Sequence, residues 1–103
     1  MAEIMPGGLT DPAPVTPKVQ EIANKVSGQL EKKTGDNYSI FQVISYRTQV
    51  VSGTNYFIKV SHGDAATDYI HLRVFQALPC YGGGLELASY QLGKTRDDPI
   101  IYF

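Results

Sequence analysis

Apolar residues in the first third of the chain recur at the spacing of an α-helix. They form one stripe with a period of about 3.6 residues, and the opposite face is polar: the stripe contains Val19, Ile22, Ala23, Val26 and Leu30. Thr16 is a favourable N-cap, Pro17 suits a first helical turn, and Gly35 can end a helix. The pattern therefore predicts one amphipathic helix over residues 16–34.

From residue 38 onwards the apolar period changes to two, which is typical of strands. We predict strands over residues 40–49 and 54–62, a third around residues 69–75, and a fourth over 85–92. In the third strand the inward residues are Ile70, Leu72 and Val74, and the outward ones are Tyr69, His71, Arg73 and Phe75. In the fourth strand Leu85, Leu87 and Ser89 share one side, and Glu86, Ala88 and Tyr90 the other. The apolar residues 100–103 are expected to pack onto the domain.

A single helix cannot bury its apolar stripe alone, so the stripe must lie on a sheet. Strands joined in sequence by short turns form an antiparallel sheet. The predicted fold is therefore α+β, an antiparallel sheet of four to five strands wrapped around one long N-terminal helix. It is one domain over residues 1–103, with a flexible arm at 1–15, the helix at 16–34 and the sheet at 38–103. The arm is predicted from its prolines and glycines and its lack of a hydrophobic period.

Composition excludes several classes of function. The net charge of -1 provides no basic surface for nucleic acid or an anionic membrane, and no apolar run is long enough to span a bilayer. The first eight residues do not resemble a secretory signal, and one cysteine, Cys80, cannot form an internal disulfide. These features predict a reducing, cytoplasmic compartment.

Few side chains are available for catalysis. The only thiol is Cys80 and the only imidazoles are His62 and His71, and no glycine-rich elbow presents the thiol. His71 is expected to be a surface histidine, and the three residues lack the short spacing of metal ligands. The sequence predicts a binding module, not an enzyme, with no cofactor and no metal.

Two turns and the arm are expected to meet at one end of the sheet, because alternate hairpins share an edge. The first turn, residues 49–53, carries the adjacent apolar residues Val50 and Val51. They either end a buried strand or form an apolar wedge that a partner covers. The second turn contains Leu78, Pro79 and Cys80.

The residues around the first turn carry a resemblance to a known family. Gln49, Val51 and Gly53, flanked by Tyr46-Arg47-Thr48 and by residues 54–60, resemble the first-loop motif of the stefins, the type 1 cystatins. Residues 71–76 and Leu78-Pro79 are similar to the same family, and the likeness extends from about residue 5 to 103. It implies a reversible inhibitor of papain-like cysteine proteases such as cathepsins.

The resemblance also implies roles for individual residues. The first loop would cover the region beside the catalytic cysteine of the protease, and the second would reach the primed side. The arm would reach the non-primed subsites, with Gly7 or Gly8 as the glycine that lets it bend. The implied contact residues are Met5, Pro6, Gly7, Gly8, Gln49, Val50, Val51, Ser52, Gly53, Leu78, Pro79 and Cys80. Cys80 departs from the family, which often has a polar residue there.

The residues leave two other functions open. One is an apolar-ligand or peptide-binding domain that uses the same sheet for another partner, and the other is catalysis by Cys80. The assembly expected is an active monomer and a domain-swapped dimer, because two valines in a tight tip are expected to be strained. The stefin resemblance implies the same exchange.

Overall fold

The computed structural model describes residues 8–103, and Met5, Pro6 and Gly7 lie outside that range. In chain order the elements are β1 (Ala13–Pro14), α1 (Pro17–Thr34), β2 (Gln42–Val51), β3 (Gly53–Ser61), β4 (Tyr69–Gln76), a short 3-10 helix (Pro79–Tyr81) and β5 (Leu85–Lys94). The strands form one antiparallel sheet in the order β1-β2-β3-β4-β5. The predicted α+β class is confirmed.

The helix begins and ends where its capping residues predict. The Val19 N–H donates to Thr16 Oγ1 at 3.2 Å, and Gly35 adopts a φ of 79° while its N–H donates to the Glu31 carbonyl at 2.8 Å. All five residues of the predicted stripe are buried. They pack against the inner face of the sheet in one core with residues that include Ile58, Val60, Ile70, Leu72 and Val74.

The outer face of the sheet is covered by residues 95–103. Ile100 is 3% exposed, and the Phe57 ring lies 5.7 Å from the rings of both Tyr102 and Phe103. Cationic side chains of three adjacent strands donate to main-chain carbonyls of this tail: Arg47 to Ile100, Lys59 to Arg96 and Asp98, and Arg73 to Phe103. The prediction that the apolar C-terminus packs onto the domain is confirmed.

The tail also overturns the prediction for His71. This residue does lie on the outward face of β4, but it is 0% exposed because the tail covers that face. Neither ring nitrogen has a hydrogen-bond partner in the described part of the chain. Burial lowers the pKa of His71 from 6.5 to about 4, assisted by the positive charges of Lys59 and Lys94 and opposed by Asp98.

The predicted faces of the fourth strand are wrong beyond Leu87. The register pairs Val74 with Leu87 but Arg73 with Ser89, so the pairing shifts by one residue at this point. An extra residue in one strand inverts the alternation after it. Tyr90 consequently pairs with Leu72 and packs against the core, and Ser89 lies opposite Arg73.

An edge strand within the arm is a feature that the sequence pattern did not predict. Ala13 and Pro14 pair with Tyr46 and Ser45 of β2. Two residues are too few to show a period, and a proline is tolerated because this is a sheet edge. The described part of the arm therefore lies along β2.

Candidate functional site

The first loop is a narrow hairpin whose tip exposes two apolar side chains. Val51 pairs with Gly53, which leaves only Ser52 between β2 and β3. Val50 is 75% exposed and Val51 is 43% exposed, so neither ends a buried strand. Among residues 8–103 positive φ values occur only at glycines, and the strain predicted for the two valines is therefore absent.

Gly53 is buried within this loop, and its surroundings leave no room for a side chain. Its φ is +124°, and a Cβ built there would lie 2.6 Å from the Gln76 carbonyl oxygen and 2.8 Å from Phe75 Cζ. Both the backbone angle and the contacts require glycine. The ring of Phe75 and the end of β4 therefore pack against the first loop at Gly53.

Gln49 differs from its neighbours because its side chain is buried. It is 6% exposed, and the Asn55 side-chain amide donates to Gln49 Oε1 at 2.7 Å across the β2–β3 pair. A buried side chain held in this way fixes the hairpin just before its tip. Gln49 is therefore a residue that supports the loop, whereas Val50 and Val51 are exposed at its tip.

The second loop is closed by its own main-chain hydrogen bonds. The N–H groups of Tyr81 and Gly83 donate to the Leu78 carbonyl at 2.8 and 3.1 Å, and Gly82 donates to Pro79 at 3.0 Å. Leu78 is 37% exposed, Pro79 and Cys80 are exposed, and Cys80 is a free thiol. Tyr81, outside the predicted contact set, is 76% exposed and adds to this apolar surface.

The two loops lie at the same end of the sheet, as predicted from hairpin alternation. Thr54, just after the first loop, pairs with Gln76, just before the second. A groove of about 400 Å³ lies between the loops, and Gly53, Leu78 and Pro79 contribute to its lining. Lys18, from the first turn of α1, also lines this groove, and no local pattern in the sequence could have placed it there.

The arm approaches this end of the sheet along β2. The Thr10 N–H donates to the Thr48 carbonyl and the Thr48 N–H donates to Thr10 Oγ1, both at 2.9 Å. Because β1 runs antiparallel to β2, lower residue numbers lie nearer the first loop. Gly8 is exposed, two residues beyond this anchor. The roles predicted for Met5, Pro6 and Gly7 lie outside the described residues and stay predictions.

The groups that catalysis would need are not assembled. Cys80 is exposed in the second loop, His71 is buried under the tail, and the His62 ring packs on Tyr38 with centroids 5.1 Å apart. Within residues 8–103 no group of three or more His, Cys, Asp or Glu side chains is placed to hold a metal ion. In the same range, no helix combines the length and the apolar character needed to cross a membrane.

Comparison with known proteins identifies the family to which the chain belongs. A family model described as Cystatin domain matches residues 7–97, and the chain belongs to the cystatin family. Cystatins are protease inhibitors, and the chain is accordingly not an enzyme.

Individual relatives place the chain near the stefin branch, as its motifs indicated. It is 54% identical to leukocyte cysteine proteinase inhibitor 1 of Sus scrofa, over 98% of this chain and 96% of that protein. It is 47% identical to cystatin-A of Homo sapiens, over 97% of this chain and 100% of that one. The identity to cystatin-B of Oplegnathus fasciatus is 45%, over 97% of this chain and 98% of that one.

Proposed function

We propose that this chain is a reversible, tight-binding inhibitor of papain-like cysteine proteases, the cathepsins among them. An apolar wedge made of the N-terminal arm and the two loops would fill the active-site cleft. The observation that carries the proposal is the pair Val50 and Val51, exposed at a hairpin tip beside the exposed Leu78-Pro79 turn. Exposed apolar side chains grouped at one end of a sheet are typical of an interaction site.

The wedge would inhibit the protease by blocking its active-site cleft. The first-loop backbone is paired within a hairpin up to Val51 and Gly53, so it cannot lie in the cleft as an extended substrate. No peptide carbonyl is then presented to the protease thiolate. The inhibitor would leave the complex uncleaved, and the strength of binding would come from the apolar surface that the complex buries.

Each predicted contact residue has a place in this proposal. Val50, Val51, Ser52 and Gly53 would lie beside the catalytic cysteine, with Gln49 supporting them from within the hairpin. Leu78, Pro79 and Cys80 would contact the primed side. Gly8, together with Met5, Pro6 and Gly7, would occupy the non-primed subsites.

The compartment proposed is the cytoplasm. Cys80 is an exposed free thiol within the proposed interface, and such a thiol persists in a reducing environment. In an oxidising compartment, oxidative modification of the Cys80 thiol would obstruct the second loop. The predicted partners exclude nucleic acid and membranes.

The assembly proposed is an active monomer that exchanges slowly with an inactive swapped dimer. Ser52 alone separates the 10-residue β2 from the 9-residue β3, so opening the hairpin would fuse them into one long strand. Strain at the valines does not drive this exchange, since their backbone angles are ordinary. In the dimer the first loop no longer exists, and inhibition would be lost.

The experiment that tests the proposal is a titration of papain with the purified chain. Residual activity should fall linearly to near zero at one inhibitor per active site, and mass spectrometry should recover the inhibitor uncleaved. Papain whose thiol is blocked by a small alkyl group should still bind. Undiminished activity at a large excess of the chain, or cleavage within residues 49–53, would contradict the proposal.

A further inference from the structure

Arg47 connects the two ends of the described chain. It projects from the outer face of β2, where its Nε donates to the Thr10 carbonyl at 2.7 Å and its Nη1 donates to the Ile100 carbonyl at 2.5 Å. One guanidinium thus bonds the N-terminal arm and the C-terminal tail at once. Hydrogen bonds from a charged donor are stronger than those between neutral groups.

The tail side of this connection is firmly held. The Ile100 side chain is buried at 3% exposure. On either side of it, Lys59 donates to the Asp98 carbonyl at 2.7 Å and Arg73 donates to the Phe103 carbonyl at 2.9 Å. The Ile100 carbonyl is therefore a fixed acceptor, and it sets the position of the Arg47 guanidinium.

The arm side depends on Thr10, the first anchored residue after Gly8. Its N–H and its hydroxyl bond the backbone of Thr48, and its carbonyl accepts from Arg47. Thr10 itself is exposed, so no burial of its side chain contributes to holding it. Leu9 beside it is half-buried, so these hydrogen bonds and the packing of Leu9 together set the direction in which the arm leaves the sheet.

We propose that Arg47 is a positioning residue for the inhibitory arm, and that the C-terminal tail supports protease binding through it. The inference rests on the proposed function, because it concerns the arm of that inhibitor. Arg47 is not one of the proposed contact residues, and it bonds the arm only at Thr10, behind Gly8. It holds the arm near its bound path before the protease arrives, which reduces the conformational entropy lost on binding.

The geometry explains why an arginine suits this position. The two acceptors belong to different segments, and the planar guanidinium presents separate N–H groups to each. A lysine carries one compact ammonium on a flexible stem and is less well oriented for both. Arg47→Lys should therefore retain part of the positioning of the arm.

The test compares Arg47→Met with the matched control Arg73→Met, each with the full arm and with residues 1–8 deleted. Arg73 also donates to a tail carbonyl but makes no bond to the arm, and without it Ile100 is still held by its own burial and by the nearby Lys59 bond. With the full arm, Arg47→Met should speed dissociation from papain by about tenfold, and by less than about twofold once the arm is deleted. Arg73→Met should change dissociation by less than about twofold in both backgrounds.

A second readout does not involve the protease. Hydrogen exchange at the Thr10 amide should become faster in Arg47→Met and stay unchanged in Arg73→Met, with the amides of β3 protected in both. Equal acceleration of dissociation with and without the arm would overturn the proposal, as would unchanged exchange at Thr10. If Arg47→Met does not fold, Arg47→Lys must show the same dependence on the arm, at a smaller size.

The two proposals fail in different ways. If the unmodified chain does not inhibit papain, the proposed function is wrong, and exchange at Thr10 still decides whether Arg47 fixes the arm. If the unmodified chain inhibits but the effect of Arg47→Met ignores the arm, only the positioning role is wrong.

Discussion

Gly53 shows how much of the first loop depends on a single missing side chain. Gly53→Ala should lower the melting temperature, because its new Cβ would press on the Gln76 carbonyl and the Phe75 ring at a φ of +124°. A loss of about 2 kcal/mol corresponds to a decrease of roughly 8–16 °C for a domain of this size.

Gly28→Ala is the matched control for that substitution. Gly28 lies within α1 and has nothing within 4 Å of a built Cβ, so the same change should raise stability by about 1 kcal/mol. Thermal unfolding of both variants measures the difference. A Gly53→Ala variant as stable as the unmodified chain would show that the loop does not need its glycine.

His71 predicts a pH dependence of stability. The unfolded histidine titrates near 6.5 and the folded one near 4. Between these values the unfolded chain binds the proton and the folded chain does not, so protonation favours unfolding. The contribution of neutral His71 to the free energy of unfolding is complete above about pH 6.5. It is lost as the pH falls towards 4, which lowers that free energy by up to about 3 kcal/mol.

Denaturant unfolding between pH 7 and pH 4 measures this dependence, with two variants for comparison. His71→Gln should flatten the curve across that range. His62→Gln is the control, because the His62 ring packs on Tyr38 and not under the tail. If all three proteins lose stability equally, the acid sensitivity does not come from His71.

At the scale of one residue, sequence periodicity predicted the direction of most strand side chains but not what covers them. The outward direction of His71 was correct, yet its exposure was not, because the covering residues lie about 25 to 30 positions further along the chain. The direction predicted for Tyr90 was wrong for another reason. One shift in the pairing of β4 with β5 reverses the side chains that follow it, as far as a second shift between His71 and Tyr69, and no local signal marks the first position.

At the scale of elements, the arm divides into an anchored part and a part proposed to bind. Deleting residues 1–8 should leave the melting temperature within about 2 °C, because Thr10 and β1 remain. Dissociation from papain should become faster, since lost contacts appear mainly in the off-rate. Surface plasmon resonance and thermal unfolding measure the two effects.

The matched control is deletion of residues 1–14, which removes β1 and the bonds of Thr10 as well. This longer deletion should lower the melting temperature by several degrees, because β2 becomes an unpaired edge. A large loss of stability on deleting only residues 1–8 would show that the first residues are structural.

The elements themselves could be predicted because each has a strong local signal. The helix has a regular stripe between Thr16 and Gly35, and its observed bounds follow those caps. β3 alternates without interruption. The two-residue β1 has no such signal, and its existence depends on hydrogen bonds to residues more than 30 positions away.

At the scale of the whole molecule, the proposed swapped dimer tests whether residues 49–53 act as the hinge of the exchange. Mild heating followed by size-exclusion chromatography should separate a dimer that does not inhibit papain and that returns slowly to active monomer. Exchange should be slow because the helix and β2 must leave the core together. A dimer that inhibits as well per subunit as the monomer would rule out residues 49–53 as the hinge.

The overall fold and the common end of the two loops could be predicted because topology follows from the order of hairpins. The tail over the outer face, the groove beside Lys18 and the bridge made by Arg47 could not. They depend on long-range contacts between residues whose neighbours in sequence show no pattern. The contact residues proposed for the arm depend on family resemblance alone.

The measurement that tests the wedge most directly compares Val51→Asp with Leu92→Asp in papain titrations. Both side chains are exposed, at 43% and 49%, and Leu92 lies on β5 outside the loops. Val51→Asp should raise the inhibition constant by at least about a hundredfold with unchanged melting temperature, because a charge would be buried unpaired in the cleft. Leu92→Asp should leave inhibition unchanged. Equal inhibition by Val51→Asp and the unmodified chain would contradict the account.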